Sequence, residues 1–457
     1  MMTGVMEQDA FRWWVGIDWG TAEHVVDLGD ATGRFLEERT IKHTSDGLAQ
    51  LVEWLTEVSG GQLAQVAVAI EIPRGALVEL LLERGAAVFA VNPKQLDRFR
   101  DRFSVAGAKD DRLDARVLRS AVQTDRALFR RLTMDEPLVI RVRELTRASE
   151  VLQLEFQALA NRLRELVHRI APAWLSLSPN VDDPWFWTVV EWAATPALTG
   201  RGAPLRRRKV QSLLTTARIR RVSVDDVLTV FEQPTLTVAP GTIEAVTGHI
   251  QLLLPRVRLV HEQRHACEQE LAAVLTALRT SETPPPPSAG ERADGQTSCA
   301  PSPQAPSDVA ILESLPGVGL VVTSSFIADA MSLLRLRDYA SLRAVTGVAP
   351  VRRQTGKNKR GLISMRYACN VRLRNACYHF ARVSTQVDAA ARHYYATLRA
   401  RGHSHGRALR SVADRWLRIL ISMLTHQTLY DPTRFAVAGP EPTTTVREHH
   451  ITLENTN

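Results

Sequence analysis

At 457 residues the chain is too long for one ordinary hydrophobic core, so two or three domains are expected. Its 45% hydrophobic content is that of a globular protein. No apolar run approaches the roughly 20 residues of a membrane-spanning helix, and Glu7, Asp9 and Arg12 interrupt any secretory leader, so the expected location is cytoplasmic with no membrane partner. The net charge of +8 points to a polyanionic partner rather than a cationic one.

The first 125 residues alternate strand and helix signals. Trp13 to Asp18, Val25 to Leu28 and Phe35 to Ile41 read as three successive strands, and Asp46 to Val58 as an amphipathic helix. Val66 to Ile70 follows as a buried strand, Gly75 to Glu83 as a helix, Ala87 to Val91 as a strand, and a last helix closes the series. That order is the order of a ribonuclease H-like α/β domain, assigned to residues 1–135.

Residues 136–280 change to heptad spacing and read as a helical coiled-coil region with a basic insertion. One seam runs Val142, Leu145, Ser149, Leu152, Phe156, Leu159, Leu163, Leu166 and Ile170. A second runs Val246, Ile250, Leu253, Val257, Val260, Arg264, Cys267, Leu271, Val274 and Leu278. Two long helices pairing with each other or with a second subunit are expected, which allows a dimer or tetramer. Pro255 inside the second seam predicts a kink or a break. The insertion carries Arg201, Arg206, Arg207, Arg208, Lys209, Arg218, Arg220 and Arg221, either a solvated helical face or a nucleic-acid contact.

Residues 281–308, with Pro284 to Pro287 in a row, read as a linker. Residues 309–430 read as a mainly helical domain and 431–457 as a polar tail. Leu315-Pro316-Gly317-Val318-Gly319 opens that domain as in helix-hairpin-helix DNA-binding elements, although the motif is short and common. Between Tyr339 and Val387 stand ten Lys or Arg and no Asp or Glu. A polyphosphate would be drawn to such a stretch. His379, His393, His403 and His405 lie on basic helices and read as structural or solvent-facing. The cysteines, Cys267, Cys299, Cys369 and Cys377, form no C-x-x-C pair and no zinc spacing, which leaves reduced structural thiols.

The candidate chemistry begins with carboxylates. Asp18 ends the first strand and Glu71 follows the fourth, and in a three-strand meander with a helical crossover those strands are neighbours. Asp111 and Asp114, three apart, share one helix face. Phosphodiester cleavage develops charge on the attacking and leaving oxygens, which two Mg²⁺ ions about 3.5 to 4 Å apart stabilise. Mg²⁺ prefers carboxylate oxygens, so these four residues are candidate ligands and candidate catalytic residues.

This half resembles the DEDD, RuvC-like domain of the Piv-type DNA invertases and the "IS one-ten" insertion-sequence transposases, the group described as bridge-RNA-guided recombinases. Asp18, Glu71, Asp111 and Asp114 fall on that family's four acidic positions. Lys109-Asp110-Asp111-Arg112-Leu113-Asp114-Ala115 is similar to its Lys-Thr-Asp-x-x-Asp-Ala motif, with Asp110 in place of Thr. Further on, Thr346-Gly347-Val348-Ala349-Pro350, the loop from Arg352 to Arg360, and Asn370 with Arg372-Leu373-Arg374 resemble the family's transposase domain.

The resemblance implies a transposase or site-specific recombinase acting on DNA, guided by a non-coding RNA. It also implies a composite site in which the acidic domain of one subunit works with the hydroxyl domain of another. The family's nucleophilic Ser falls before Gly356, where this chain has Thr355. Either Thr355 serves, or another hydroxyl such as Ser364 does, or joining is lost. Arg352, Arg353, Gly356, Lys357, Lys359, Arg360, Arg366, Arg372 and Arg374 are the candidate nucleic-acid contacts. Two other readings stay open: a Holliday-junction resolvase-type nuclease, which needs only the carboxylates, and a non-catalytic nucleic-acid-binding protein derived from a transposase.

Overall fold

A computed structural model describes residues 11–103, 110–199, 207–281, 306–353 and 362–433. The chain divides into two compact units after Glu136.

The first unit is a mixed sheet with helices on both faces. Strands β1 (Trp13–Trp19), β2 (Glu23–Gly29) and β3 (Phe35–Lys42) form an antiparallel meander, followed by helix α1 (Ser45–Val58). Then come β4 (Val66–Ile70), α2 (Ala76–Glu83), β5 (Ala87–Ala90), α3 (Pro93–Arg100), α4 (Asp111–Asp125) and β6 (Arg130–Arg131). The six strands lie in the order β3-β2-β1-β4-β5-β6, with β1, β4 and β5 parallel. β4 is Val-Ala-Val-Ala-Ile, buried along its whole length, as a central parallel strand covered on both faces must be.

The period-2 alternation decides which helix each face receives. Val15, Ile17, Val68 and Ile70 join the core with Leu51, Leu55, Leu77 and Leu81 of α1 and α2. Trp14, Ala67 and Ala69 face the other way, onto Val117, Leu118 and Ala121 of α4. Small residues let that helix lie close to the sheet. A Cβ at Gly16 would stand 1.9 Å from the Ala115 carbonyl oxygen, so no larger residue fits there.

The second unit is mostly helical. α5 (Pro137–Ile170) leads through a short turn, Pro172–Ser176, to α6 (Pro184–Thr199), α7 (Arg207–Thr216), α8 (Val224–Glu232) and α9 (Thr242–Ser281). The predicted seams meet each other within the chain. Contacts from Arg141 to Glu270, Gln153 to Arg264 and Glu155 to Arg256 show α5 and α9 running antiparallel. Along them Phe156, Leu159 and Leu163 are buried, as are Val257, Val260 and Leu271. Pro255 makes no break: α9 is continuous, with Pro255 on its exposed side, where a missing N-H is tolerated.

The middle of this helix pair shares a core with α6, α7 and α8, centred on Trp185, Phe186 and Trp187. Its outer ends, Val139 and Val142 of α5 and Leu271 to Leu278 of α9, join the C-terminal helices in another core. Those are α10 (Asp308–Glu313), α11 (Leu320–Arg335), α12 (Tyr339–Val345), the hairpin β7 (Val351–Arg353) and β8 (Leu362–Ser364), then α13 (Val371–Val387), α14 (Ala389–Ala400) and α15 (His405–His426). The expected linker falls almost wholly outside the described residues, and the polar tail largely does.

Candidate active site

Ile17 of β1 pairs with Ile70 of β4, so Asp18 and Glu71 are the next residues along two neighbouring parallel strands. Asp18 shares the face of Gly16, and Glu71 that of Ala67 and Ala69, which is the face that α4 covers. Ala115 of α4 lies over Gly16, while Gln123, two turns on, reaches Thr32 and Gly33 at the far end of the sheet. Helix α4 therefore runs against the direction of β1, and its first turn, with Asp111 and Asp114, comes to the strand end where Asp18 sits. Asp110 caps that turn, its carboxylate accepting from the Arg112 N-H at 3.3 Å, so the departure from Thr keeps a capping residue.

The four carboxylates are not in equal states. Asp111 is exposed, and Asp18 and Glu71 are half-buried. Asp114 is 1% exposed and held by Arg100, the last residue of α3: Nε donates to one carboxylate oxygen at 2.6 Å and Nη2 to the other at 2.8 Å. Nη1 of Arg100 also donates to Asp97 at 2.8 Å. Among the described residues no three His, Cys, Asp or Glu side chains stand close enough to hold a metal ion. Both oxygens of Asp114 are turned to a guanidinium.

Two further pairs, one buried and one partly exposed, lie in the same unit, and neither was expected from sequence. Arg119 of α4 is paired with Asp27 of β2 and donates to the Gly33 carbonyl at 2.6 Å. On the opposite face His24, fully buried, bonds His43 at 2.8 Å and accepts from the Gly20 N-H. Burial, then the neighbouring His43, lowers the His24 pKa.

In the second unit Thr355, Gly356, Lys357, Lys359 and Arg360 lie outside the described residues, as do the side chains of Arg352 and Arg353, whose backbone forms β7. Ser364 ends β8, within a paired strand. Arg372, at the start of α13, is engaged by Glu150 of α5 at 2.5 Å, whereas Arg374 is half-buried on the same helix. Arg366 buries its Nε. Gly317, with φ of +90°, abuts the backbone of Ser384, where a Cβ would meet the Ser384 nitrogen at 2.7 Å. Helix packing is sufficient reason for that glycine.

Of the histidines and thiols, Cys299 lies outside the described residues, and His379, His393 and His405 are exposed. His405 sits between Tyr395, at 2.8 Å, and Tyr378. Complete burial pushes the Cys377 thiol up to about 12, far from a reactive thiolate. In the basic insertion Arg207 pairs with Asp225 and Arg221 with Asp183, while Lys209 covers the Trp192 ring at 4.0 Å.

Both regions match one family of known proteins. Residues 15–172 match the sequence model of a family described as "Transposase", and residues 309–396 that of the "Transposase IS116/IS110/IS902 family". The chain belongs to the IS110/IS116 family of transposases. It is similar to a protein assigned as a transposase, y4uE, from Sinorhizobium fredii, 43% identical over 209 residues. That match covers 46% of this chain and 57% of the relative, so it spans little more than half of that protein's length. The mini-circle transposase assigned to IS117 of Streptomyces coelicolor is 27% identical over 94% of this chain and 98% of its own. An insertion element IS116 protein of Streptomyces clavuligerus is 29% identical over 92% of this chain and 96% of its own.

Membership places the chain among DNA transposases. The DEDD family also suggests a divalent metal requirement. The donor set fits such an ion by chemistry, since all four side chains are hard carboxylates and two stand on adjacent strand ends of one face. No described helix is long and apolar enough to cross a membrane.

Proposed function

We propose that this IS110/IS116-family chain cuts and rejoins DNA at the ends of an insertion element. Its first unit acts as a RuvC-like nuclease and its second supplies the hydroxyl for strand joining. The observation that carries the reading is the antiparallel run of α4 over β1 and β4, which brings the Asp111 turn to the strand ends of Asp18 and Glu71. Asp18, Glu71, Asp111 and Asp114 would hold divalent metal, in our reading Mg²⁺. Two such ions supply stabilisation of charge on the attacking and leaving oxygens.

The protein's own part is positioning. The sheet fixes Asp18 and Glu71, α4 carries the other two carboxylates, and the Arg119 pair with Asp27 holds the helix to the sheet. In the second unit Thr355 is the proposed nucleophile, with the basic residues from Arg352 to Arg360, together with Arg366 and Arg374, binding the DNA backbone. Guidance by a non-coding RNA and assembly as a dimer or tetramer rest on the family resemblance. The test is incubation of the full chain with plasmid DNA carrying the element's ends, in Mg²⁺ or in chelator. Cleavage should require Mg²⁺, and joined product should appear with it. Cleavage without joining would favour a resolvase-type nuclease, and binding without cleavage a non-catalytic protein.

A further inference from the structure

Asp114 is placed to be a metal ligand, yet a guanidinium occupies it. Arg100 grips both carboxylate oxygens, at 2.6 and 2.8 Å, in a pocket where the Asp114 side chain is 2% exposed and that of Arg100 16%. A buried carboxylate needs a cation, and here Arg100 supplies it. The same planar fork suits a phosphate, which presents two oxygens at similar spacing.

We propose that Arg100 is a positioning residue that stands in for the metal. In the protein without nucleic acid it neutralises Asp114 and weakens divalent-cation binding. When a DNA phosphate takes over its guanidinium, Asp114 is released to the ion. Metal loading is thereby coupled to the arrival of substrate, and the exchange is purely ionic, with no bond made or broken. Coupling between two such sites is commonly about 5- to 150-fold in affinity. Asp97, the other partner of Arg100, is largely exposed and keeps one guanidinium nitrogen engaged during the exchange. The inference rests on the carboxylate assignment above.

Its test is titration of Mn²⁺ into the full chain, by calorimetry, with and without a short duplex oligonucleotide whose own Mn²⁺ binding is subtracted. Wild-type protein should bind Mn²⁺ about tenfold more tightly when the duplex is present. Arg100→Gln should bind tightly without DNA and gain little from it, and Arg100→Lys, which keeps the charge but loses the fork, should fall between. Because Arg100→Gln leaves a buried carboxylate unpaired, thermal melting is followed as well: Mn²⁺ should raise its Tm more than it raises that of wild type. An affinity indifferent to DNA in wild type, or unchanged or weaker in Arg100→Gln, overturns the role given to Arg100. Asp18→Asn and Glu71→Gln separate this failure from that of the underlying reading. If they bind Mn²⁺ as wild type does, the carboxylate site itself is wrong; if they lose it while Arg100→Gln is unchanged, only the present inference falls.

Discussion

Arg119 of α4 and Asp27 of β2 form an ion pair with 5% and 2% of their surfaces exposed, and it ties the helix carrying Asp111 and Asp114 to the strand beside Asp18. Burial pushes the Asp27 carboxyl up, and the Arg119 guanidinium draws it back. Removing one partner from such a pair commonly costs about 3–5 kcal/mol, because a lone charge stays buried. Arg119→Met should lower stability by about that amount, read from urea unfolding followed by circular dichroism. The double variant Arg119→Met with Asp27→Leu should recover most of the loss. If the single variant is as stable as wild type, the pair does not hold the helix in place.

The carboxylates should separate by burial. Each of Asp18→Ala, Glu71→Ala, Asp111→Ala and Asp114→Ala is expected to abolish DNA cleavage while nucleic-acid binding persists. Asp114→Ala should also destabilise the fold more than Asp111→Ala does, since it deprives half-buried Arg100 of its main partner, whereas Asp111 is exposed. Cleavage measured beside melting temperature distinguishes the two. Undiminished cleavage by Asp111→Ala would remove that residue from the site.

His24 gives the protein an acid-sensitive element. Its pKa is lowered from the ordinary 6.5 by burial, then by His43. A depressed pKa means that the folded protein resists protonation that the unfolded chain accepts. The stability contributed by neutral His24 is therefore present above 6.5 and lost as the pH falls below it. Melting temperature should drop between pH 7 and 5 in wild type and drop less in His24→Asn, at about one protein concentration and fixed salt. Parallel curves would show that His24 does not set the acid limb.

Leu159 is 4% exposed in the core shared by α5 and α9, so its partner lies in the same chain. Leu159→Arg would bury an unpaired charge and should unfold the helical unit, losing about 3 kcal/mol or more. Circular dichroism reads the fold and light scattering the mass. A folded monomer from an oligomeric wild type would instead assign Leu159 to a contact between subunits.

Thr355 carries the joining chemistry in the proposal. Its hydroxyl is that of Ser with an added methyl, which stiffens χ1 and crowds an in-line attack. Thr355→Ser should join DNA faster, and Thr355→Ala should form no protein-DNA adduct on a nicked substrate, as mapped by mass spectrometry. An adduct on Ser364, or one that survives Thr355→Ala, assigns the reaction elsewhere.

Local pattern sufficed for most elements of the first unit, though not for α3 or the short β6. Alternation in Trp13 to Trp19 and in Val66 to Ile70 specifies strands, and the three-and-four spacing of Val142 to Ile170 specifies a helix with one buried stripe, because these periods are properties of the backbone itself. The placement of Asp18 near a strand end and of Asp111 and Asp114 in a helix turn was legible for the same reason, since both are local events. Partners are not. Heptad spacing says that a stripe must be covered, but whether by α9 or by another chain depends on the turn through α6, α7 and α8 that returns the chain antiparallel. Arg100 is one arginine in a basic helix, 14 residues before Asp114, and no periodicity joins them. Only the packing of α3 on α4 brings guanidinium and carboxylate together, and burial then makes that meeting obligatory, since neither charge can be left alone away from water.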